Sequence, residues 1–323
     1  MSIAIEVART AHRVIAEYMA VRPGERVLIV VDDRTSPSIP QALASQALAL
    51  GGDPVIAMMA PRAKSGQEPP APIAAAMCAA EVVICAASKS VYHCEAKAAA
   101  KRAGARGVFN APHLEDAWID GAMTADFLEL RKLAERLRDR LKRGKVARVT
   151  SPAGTDVTMV IENRAPVGWL TGVCRNPGEV SAYPGGEVSL PPLEGSTNGR
   201  VVIEHIMTDI GRLAQPIVLT VENGACVKID GGVEARALAA HIDGIKNATN
   251  IAELGIGLNP KSRLTGGITE VKKKLGTAHM ALGDSAAGYG GKVTSDVHLD
   301  GMILDVRIAV DGEVIVADGE VRV

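Results

Sequence analysis

The end of the chain carries a histidine and an aspartate whose spacing suits a metal ligand pair. They form the segment His298-Leu299-Asp300, in which one residue separates the two. On an extended segment, side chains at positions i and i+2 point to the same side, so the imidazole and the carboxylate converge. Such a pair is half of a site for Zn, Mn, Co or Fe. The motif also occurs on many surface strands, so a solvated pair is the alternative.

Three further candidate ligands lie upstream, each in an apolar or rigid setting. His279 stands in GTAHMALG, where a core histidine is the alternative to a ligand, and Glu253 stands in AELGIGLNP. A carboxylate buried in such a segment must be paired, protonated or bound to a metal. Glu187, in YPGGEVSLPP, lies between a Gly-Gly and a Pro-Pro turn. Rigid loops of this kind hold a ligand in place, but they also occur as plain structure.

The charges of these five side chains match a pair of metal ions. Glu187, Glu253 and Asp300 carry three negative charges, while His279 and His298 bind metals as neutral groups. Two divalent ions and a bridging hydroxide would make the site neutral, as in two-metal hydrolytic centres. A single ion needs fewer ligands, and some of the five would then only support the others.

The first part of the chain is predicted to form an α/β domain with a mostly parallel sheet. Apolar strands alternate with helices there, which is typical of βαβ units. The predicted strands are 27–31, 54–59, 81–85 and 107–110. No GxGxxG or GxxxxGK[ST] motif follows any of them, so nucleotide binding is not supported. A strongly amphipathic helix over 125–142 ends before Gly144, and the first domain is predicted to cover 1–144.

The remainder, 145–323, is predicted to be a β-rich α+β domain that carries the metal site. The sequence pattern here changes to short strands of alternating apolar and polar residues, interrupted by one helix over 234–246. Two strands, 302–310 and 313–316, are joined by Asp311-Gly312, which is a strong hairpin signal.

Composition excludes several classes of partner. The net charge is −1 and aromatic residues are 2% of the chain, which argues against nucleic acid and anionic membranes as partners. The five cysteines include no CxxC pair, as expected of reduced thiols in a cytoplasmic protein. The N-terminal segment is an amphipathic helix rather than a signal peptide, and no apolar run is long enough to span a membrane. A cytoplasmic enzyme with a small-molecule or short-peptide substrate is expected.

The motifs AELGIGLNP, GTAHMALGD and VHLD, preceded by GGEV and TSPAGTDVTM, resemble the thermophilic metalloaminopeptidases of the aminopeptidase T type. The resemblance covers most of 146–300 and extends weakly to RPGERVLIV near the N-terminus. It implies a homodimer in which two divalent ions (Zn, Co or Mn) activate a water that hydrolyses an amide or peptide bond. The ligands that it implies are Glu187, Glu253, His279, His298 and Asp300.

The predicted hydrolytic mechanism also assigns roles to other groups around the metals. Glu187 or Glu253 would act as general base, and Tyr289 or Lys292 would stabilise the oxyanion. The tyrosine of the aminopeptidases corresponds to Ala286, and Tyr289 is the nearest tyrosine in this chain.

A second branch of this superfamily, the 2,5-dihydroxypyridine 5,6-dioxygenases, holds one Fe(II) with two histidines and one carboxylate. The resemblance implies a histidine in the block that is AELGIGLNP here, whereas this chain has Glu253 and keeps His279 and Glu187. The sequence therefore predicts a metallohydrolase of the aminopeptidase type. The alternative is a ring-cleaving dioxygenase acting on a dihydroxypyridine-type heterocycle, and a third hypothesis is a non-catalytic binding protein.

Overall fold

The computed structural model describes residues 3–167, 170–265, 267–287 and 290–323. The chain divides into two compact units, one formed by Met1–Arg131 with Trp169–Gly186 and the other by Lys132–Gly168 with Glu187–Val323. A domain boundary at residue 144 stays a prediction. Nothing in the sequence pattern indicated that a segment near residue 180 belongs with the N-terminal unit.

The first unit is built on a five-stranded sheet in which all neighbouring strands are parallel. Its order is β2-β1-β3-β4-β7. The strands are β1 (Arg26–Asp32), β2 (Asp53–Met59), β3 (Val82–Cys85), β4 (Arg106–Val108) and β7 (Val180–Ser181). The helices are α1 (Ile3–His12), a π-helix (Arg13–Tyr18), α2 (Ser38–Ala49), α3 (Ala71–Ala79), α4 (Glu95–Arg102), α5 (Asp116–Asp120) and a 3₁₀ turn (Ala122–Thr124).

Strand β1 lies inside this sheet because its sequence suits burial on both faces. Val27 to Val31 are all apolar, and each is buried. Unbroken β-branched runs of this kind are typical of parallel strands that are covered on both sides. The long helix α6 (Phe127–Lys142) begins in the first unit and ends in the second, and it matches the predicted amphipathic helix except for its first two residues. No helix in the described part of the chain is long and apolar enough to cross a membrane.

The second unit consists of two antiparallel sheets. The eight-stranded sheet has the order β13-β12-β9-β6-β5-β17-β18-β19, and the six-stranded sheet has the order β11-β10-β16-β15-β14-β8. Its strands are β5 (Val146–Thr150), β6 (Asp156–Val160), β8 (Glu187–Leu190), β9 (Asn198–Ile203), β10 (Ile206–Met207), β11 (Gly211–Arg212), β12 (Ile217–Glu222), β13 (Ala225–Asp230), β14 (Ile251–Gly257), β15 (Ala278–Gly283), β16 (His298–Ile303), β17 (Arg307–Val310), β18 (Glu313–Ala317) and β19 (Glu320–Val321). The helices are α7 (Val233–Ile242) and α8 (Ile268–Val271).

The parallel first unit and the β-rich second unit confirm the predicted fold class. The hairpin through Asp311-Gly312 is also confirmed, since β17 and β18 pair there in antiparallel fashion. A single strand over 302–310 was wrong. The chain leaves the six-stranded sheet after Ile303 and enters the eight-stranded sheet at Arg307, and Asp305 turns the backbone with a φ of 46°.

Candidate metal centre

Four neighbouring strands of the six-stranded sheet bring the five predicted ligands together. Glu187 begins β8, Glu253 lies in β14, His279 in β15, and His298 and Asp300 in β16. These strands are adjacent in the order β16-β15-β14-β8. Residues that are far apart in the sequence therefore meet because their strands pair side by side.

Strand register places all five side chains on one face of this sheet. Paired residues on adjacent strands share a face, and alternate residues along a strand return to it. The pairs that matter are Glu187 with Gly257, Gly255 with His279, Ala281 with Asp300, and Gly283 with His298. The residues between the ligands on this face are thus glycine or alanine, which leaves room above the sheet for the ligand side chains.

Two of these glycines are required by close approach. A Cβ atom on Gly255 would lie 1.9 Å from Cε1 of His279, so only glycine lets the imidazole ring rest against β14. A Cβ atom on Gly257 would lie 2.1 Å from the carbonyl oxygen of Lys274. The absence of that side chain lets the segment after α8 pass close to the end of β14.

The ligand atoms form two overlapping sets around Glu253. Nε2 of His298 lies 2.9 Å from Oε2 of Glu253 and 3.2 Å from Oδ1 of Asp300. Nε2 of His279 lies 3.9 Å from Oε2 of Glu187 and 4.0 Å from both Glu253 and Asp300. One set is Glu187, Glu253 and His279, the other is Glu253, His298 and Asp300, and the ligand atoms of each lie within 4.8 Å of one another.

Several buried polar atoms here lack a partner. Within the described residues, Oε1 of Glu253, Oδ1 of Asp300 and both ring nitrogens of His279 are buried without a hydrogen bond. Buried polar atoms are almost always hydrogen-bonded, so four such atoms in one cluster need an explanation. A divalent cation satisfies carboxylate oxygens and imidazole nitrogens together. The residues present therefore fit a metal ion.

The ring of His298 is held in the orientation that a ligand needs. Its Nδ1 donates a hydrogen bond to the carbonyl oxygen of Asp284 at 2.7 Å, which directs Nε2 towards Glu253 and Asp300. Burial lowers the pKa of His298, but the close contacts and negative charges of Asp300 and Glu253 outweigh it and raise the pKa to about 10. The two carboxylates thus strongly favour a positive charge at this position.

Two lysines that the sequence did not single out lie within this centre. Nζ of Lys273 donates a hydrogen bond to Oε2 of Glu187 at 2.5 Å, and its side chain is 2% exposed. Nζ of Lys272 lies 2.9 Å from Oδ2 of Asp300 and 3.8 Å from Oε2 of Glu187. Burial raises the pKa of Glu187, but the charges of Lys272, Lys273 and His279 outweigh it and lower the pKa to about 2.

Local packing fixes the backbone that carries these lysines. They directly follow α8, whose Val271 packs against Ile206 and Met302. The amide of Asn259 donates to the carbonyl oxygen of Lys273 at 2.7 Å, and the amide of Leu275 donates to Asn259 at 3.0 Å. The run Lys272–Lys274 was the available signal, but a lysine run normally indicates a solvated surface.

The lysines change the charge count of the site. Three carboxylates and two ammonium groups sum to one negative charge, where the sequence-based count had three. One divalent ion leaves one net positive charge, and two divalent ions leave three. With the bridging hydroxide, two ions and both ammonium groups would leave two positive charges, so the five ligands alone do not give the charge of the site; a two-metal centre stays a prediction.

The structure does not test the two groups predicted to stabilise an oxyanion, Tyr289 and Lys292. Tyr289 lies outside the described residues, so its predicted role stays a prediction. The backbone amide of Lys292 donates to Oε1 of Glu194 at 2.9 Å. Glu187, predicted as a ligand and general base, has Oε2 engaged by Lys273.

Comparison with known proteins relates this fold to two kinds of enzyme. A family model described as 2,5-dihydroxypyridine 5,6-dioxygenase matches residues 10–323. The solved structure of 2,5-dihydroxypyridine dioxygenase from Pseudomonas putida KT2440 is similar, with 19% identity, coverage of 100% of this chain and 98% of that chain, and a TM-score of 0.83. Wild-type AmpT from Thermus thermophilus is similar with 16% identity, full coverage of both chains and a TM-score of 0.68. No curated protein matches.

The chain thus shares its fold with the solved 2,5-dihydroxypyridine dioxygenase and with AmpT. Because the family model spans nearly the whole chain, the chain belongs to the 2,5-dihydroxypyridine 5,6-dioxygenase family. The predicted superfamily is confirmed. The predicted hydrolase function is not confirmed, and the family match favours the dioxygenase alternative.

Proposed function

We propose that the protein is an Fe(II)-dependent dioxygenase with one metal ion, which cleaves the ring of a small hydroxylated N-heterocycle. The observation that carries this proposal is the family match over residues 10–323. The site supports it, because Lys273 engages Glu187 while the set of Glu253, His298 and Asp300 keeps carboxylate oxygens without partners.

Glu253, His298 and Asp300 would hold the ion, and Nε2 of His279 lies 4.0 Å from the nearest oxygens of Glu253 and Asp300. Two imidazoles with carboxylates suit non-haem Fe(II), which leaves open positions for substrates. When bound, Fe(II) supplies the redox chemistry with O2 that ring cleavage requires. The chain's own contribution is to orient His298 through Asp284 and to hold His279 against Gly255.

The charge of the centre favours an anionic substrate oxygen. Lys272 and Lys273 bring two ammonium groups to a buried site, and one divalent ion makes its net charge positive. A hydroxyl group on an electron-poor ring loses its proton readily, and a fixed positive environment stabilises the resulting oxyanion. A hydroxypyridine has this chemistry, so 2,5-dihydroxypyridine is the first substrate to assay.

The test is reconstitution with Fe(II) under anaerobic conditions, followed by addition of oxygenated buffer and 2,5-dihydroxypyridine. We expect equimolar consumption of O2 and substrate, followed with an oxygen electrode and by loss of the ring absorbance. Protein reconstituted with Zn should consume no O2. The proposal is contradicted if the Fe(II) protein turns over neither this compound nor other hydroxypyridines, while the Zn, Co or Mn form hydrolyses amino-acid p-nitroanilides.

Hydrolysis of an amide or peptide bond is the second candidate function. It is favoured by the set of Glu187, Glu253 and His279, which shares Glu253 with the first set and suits a second ion. That function requires Glu187 to exchange Lys273 for a metal.

The predicted homodimer also stays a prediction, which light scattering on purified protein tests.

A further inference from the structure

Each ligand set of the centre already has an ammonium group at one carboxylate, but the two ammonium groups differ in burial. Both sets contain Glu253, and each has ligand atoms within 4.8 Å of one another. In the set with His298 and Asp300, the partly exposed Lys272 lies 2.9 Å from Oδ2 of Asp300, while Oδ1 of Asp300 and Oε1 of Glu253 are buried without a hydrogen-bond partner. In the set with Glu187 and His279, the buried Lys273 is hydrogen-bonded to Glu187, and both ring nitrogens of His279 lack a hydrogen-bond partner.

This ammonium group is held where a cation bound to Glu187 would lie. Lys273 donates to Oε2 of Glu187 at 2.5 Å, and Lys272 is 3.8 Å from the same oxygen. Like charges in a buried site repel strongly because little solvent screens them. A divalent ion on Glu187 would therefore compete with Lys273 for this carboxylate and approach a second ammonium group.

The backbone gives Lys273 little room to move away. Its carbonyl oxygen accepts a hydrogen bond from Asn259, which is itself fully buried. The neighbouring carbonyl of Lys274 lies so close to Gly257 that a Cβ atom there would clash at 2.1 Å. The lysine is thus a built-in part of the centre and not a flexible surface group.

We propose that Lys272 and Lys273 act as a fixed substitute for a second metal ion. They neutralise Glu187 and part of Asp300, and they restrict the centre to one divalent cation in the set of Glu253, His298 and Asp300. Removing the Lys273 ammonium group frees Glu187 and opens the set of Glu187, Glu253 and His279 to a second cation. The inference rests on the single-ion centre of the proposed function and assigns these lysines the role of positioning residues that determine metal number.

The test measures metal number directly, with Mn(II) as the probe. Purified apoprotein is titrated with Mn(II) by calorimetry, bound metal is measured by mass spectrometry, and electron paramagnetic resonance distinguishes an isolated Mn(II) from a coupled pair. Wild type should bind one Mn(II) per chain with an uncoupled spectrum. Lys273→Met should bind two with a coupled spectrum.

Two variants make the result specific. The double variant Glu187→Gln/Lys273→Met should return to one ion, because it lacks the carboxylate that the second ion requires. Lys274→Met removes the third lysine of the same run and should bind one ion like wild type. If Lys273→Met does not fold, Lys273→Gln, which removes the same charge but keeps a polar side chain, must raise Mn(II) binding above one per chain.

The outcomes separate this inference from the proposed function. If wild type and the folded variants at Lys273 all bind one Mn(II), the lysine inference is overturned while the single-ion centre stands. If wild type itself binds two coupled Mn(II) ions, the single-ion centre and the lysine inference both fail. Two ions in Lys273→Met and one in the double variant support the inference.

Discussion

The imidazole ring of His279 lies directly against the backbone of Gly255 on the adjacent strand, and a Cβ atom at residue 255 would sit 1.9 Å from the ring. The two residues are register partners in the β14–β15 pair. The orientation of His279, a candidate ligand, therefore depends on the glycine on the next strand.

We expect Gly255→Ala to displace the ring of His279 or to push β14 away from β15. Overpacking of this kind destabilises a fold by about 1–3 kcal/mol. Loss of the ring orientation should weaken metal binding roughly 10–100-fold, as for other groups that orient ligands. Urea unfolding and Mn(II) calorimetry measure the two effects. Gly267→Ala is the matched control, because a Cβ atom there meets nothing within 4 Å. Equal metal affinity in both variants would contradict the role of Gly255 in orienting His279.

The sequence was sufficient to select the candidate ligands because their chemistry is visible in short motifs. Glu253 and His279 each stand in an apolar segment that becomes a fully buried strand, and His298 and Asp300 have the spacing of neighbours on one face. The pairing of four distant strands into one sheet could not be derived from local pattern, although the resemblance implied that these residues meet.

The lysines were missed for a physical reason. A run of three lysines is normally solvated, and only tertiary contacts bury Lys273. Those contacts come from Glu187 and Asn259, which lie elsewhere in the sequence.

Local pattern also failed to split 302–310 into two strands, because both pieces are mostly apolar and the change of sheet depends on the strands with which they pair.

His298→Ala should abolish stoichiometric metal binding. The variant removes Nε2, which lies 2.9 Å from Oε2 of Glu253 and 3.2 Å from Oδ1 of Asp300. Without this donor, a single ion would be left with carboxylates and His279 alone. Metal analysis after dialysis against equimolar Fe(II) or Mn(II) measures the loss, and His241→Ala at an exposed helical position is the control. Full occupancy in His298→Ala would remove His298 from the ligand set.

Ser88→Ala should destabilise the first unit in a pH-dependent way. The fully buried carboxylate of Asp32 accepts hydrogen bonds from the amide of Ser88 at 2.8 Å and from its hydroxyl at 2.6 Å. Burial raises the pKa of Asp32, but these bonds and others from Arg34 and Thr35 outweigh it, so the pKa lies below its ordinary value of 3.8. Loss of one bond to a charged group should cost about 1.5–3 kcal/mol at neutral pH.

The sign of the pH dependence follows from this lowered pKa. A carboxyl whose pKa is lower in the folded state stabilises the fold above its unfolded pKa, and that contribution is lost as the pH falls through the folded pKa. The difference in free energy of unfolding between wild type and Ser88→Ala should therefore be largest near neutral pH and shrink below about pH 4. Urea unfolding at several pH values measures it, with Ser36→Ala as the control, and a difference that grows on acidification would contradict the assignment.

Arg106→Met should destabilise the first unit more than any single change at an exposed ion pair. The guanidinium group is buried. It donates hydrogen bonds to the carboxylate of Glu25, at 3.0 Å through Nη1 and at 2.6 Å through Nη2. It also donates to the carbonyl oxygens of Met19 and Ala20. Methionine preserves much of the apolar stem but leaves Glu25 and two carbonyl groups without their donor. Breaking a buried pair from one side typically costs about 3–5 kcal/mol. Glu25 is partly exposed, with a side chain at 15%, so we expect the lower end of that range.

The matched control for Arg106→Met is Arg148→Met, because Arg148 pairs with Asp156 on a surface where both side chains are more than half exposed. Exposed pairs contribute roughly 0–1 kcal/mol, since solvent screens them and both side chains lose entropy when they pair. Chemical unfolding of both variants gives the comparison. Similar losses of stability would mean that the burial of Arg106, and its contacts with the backbone after the π-helix, contribute little to the first unit.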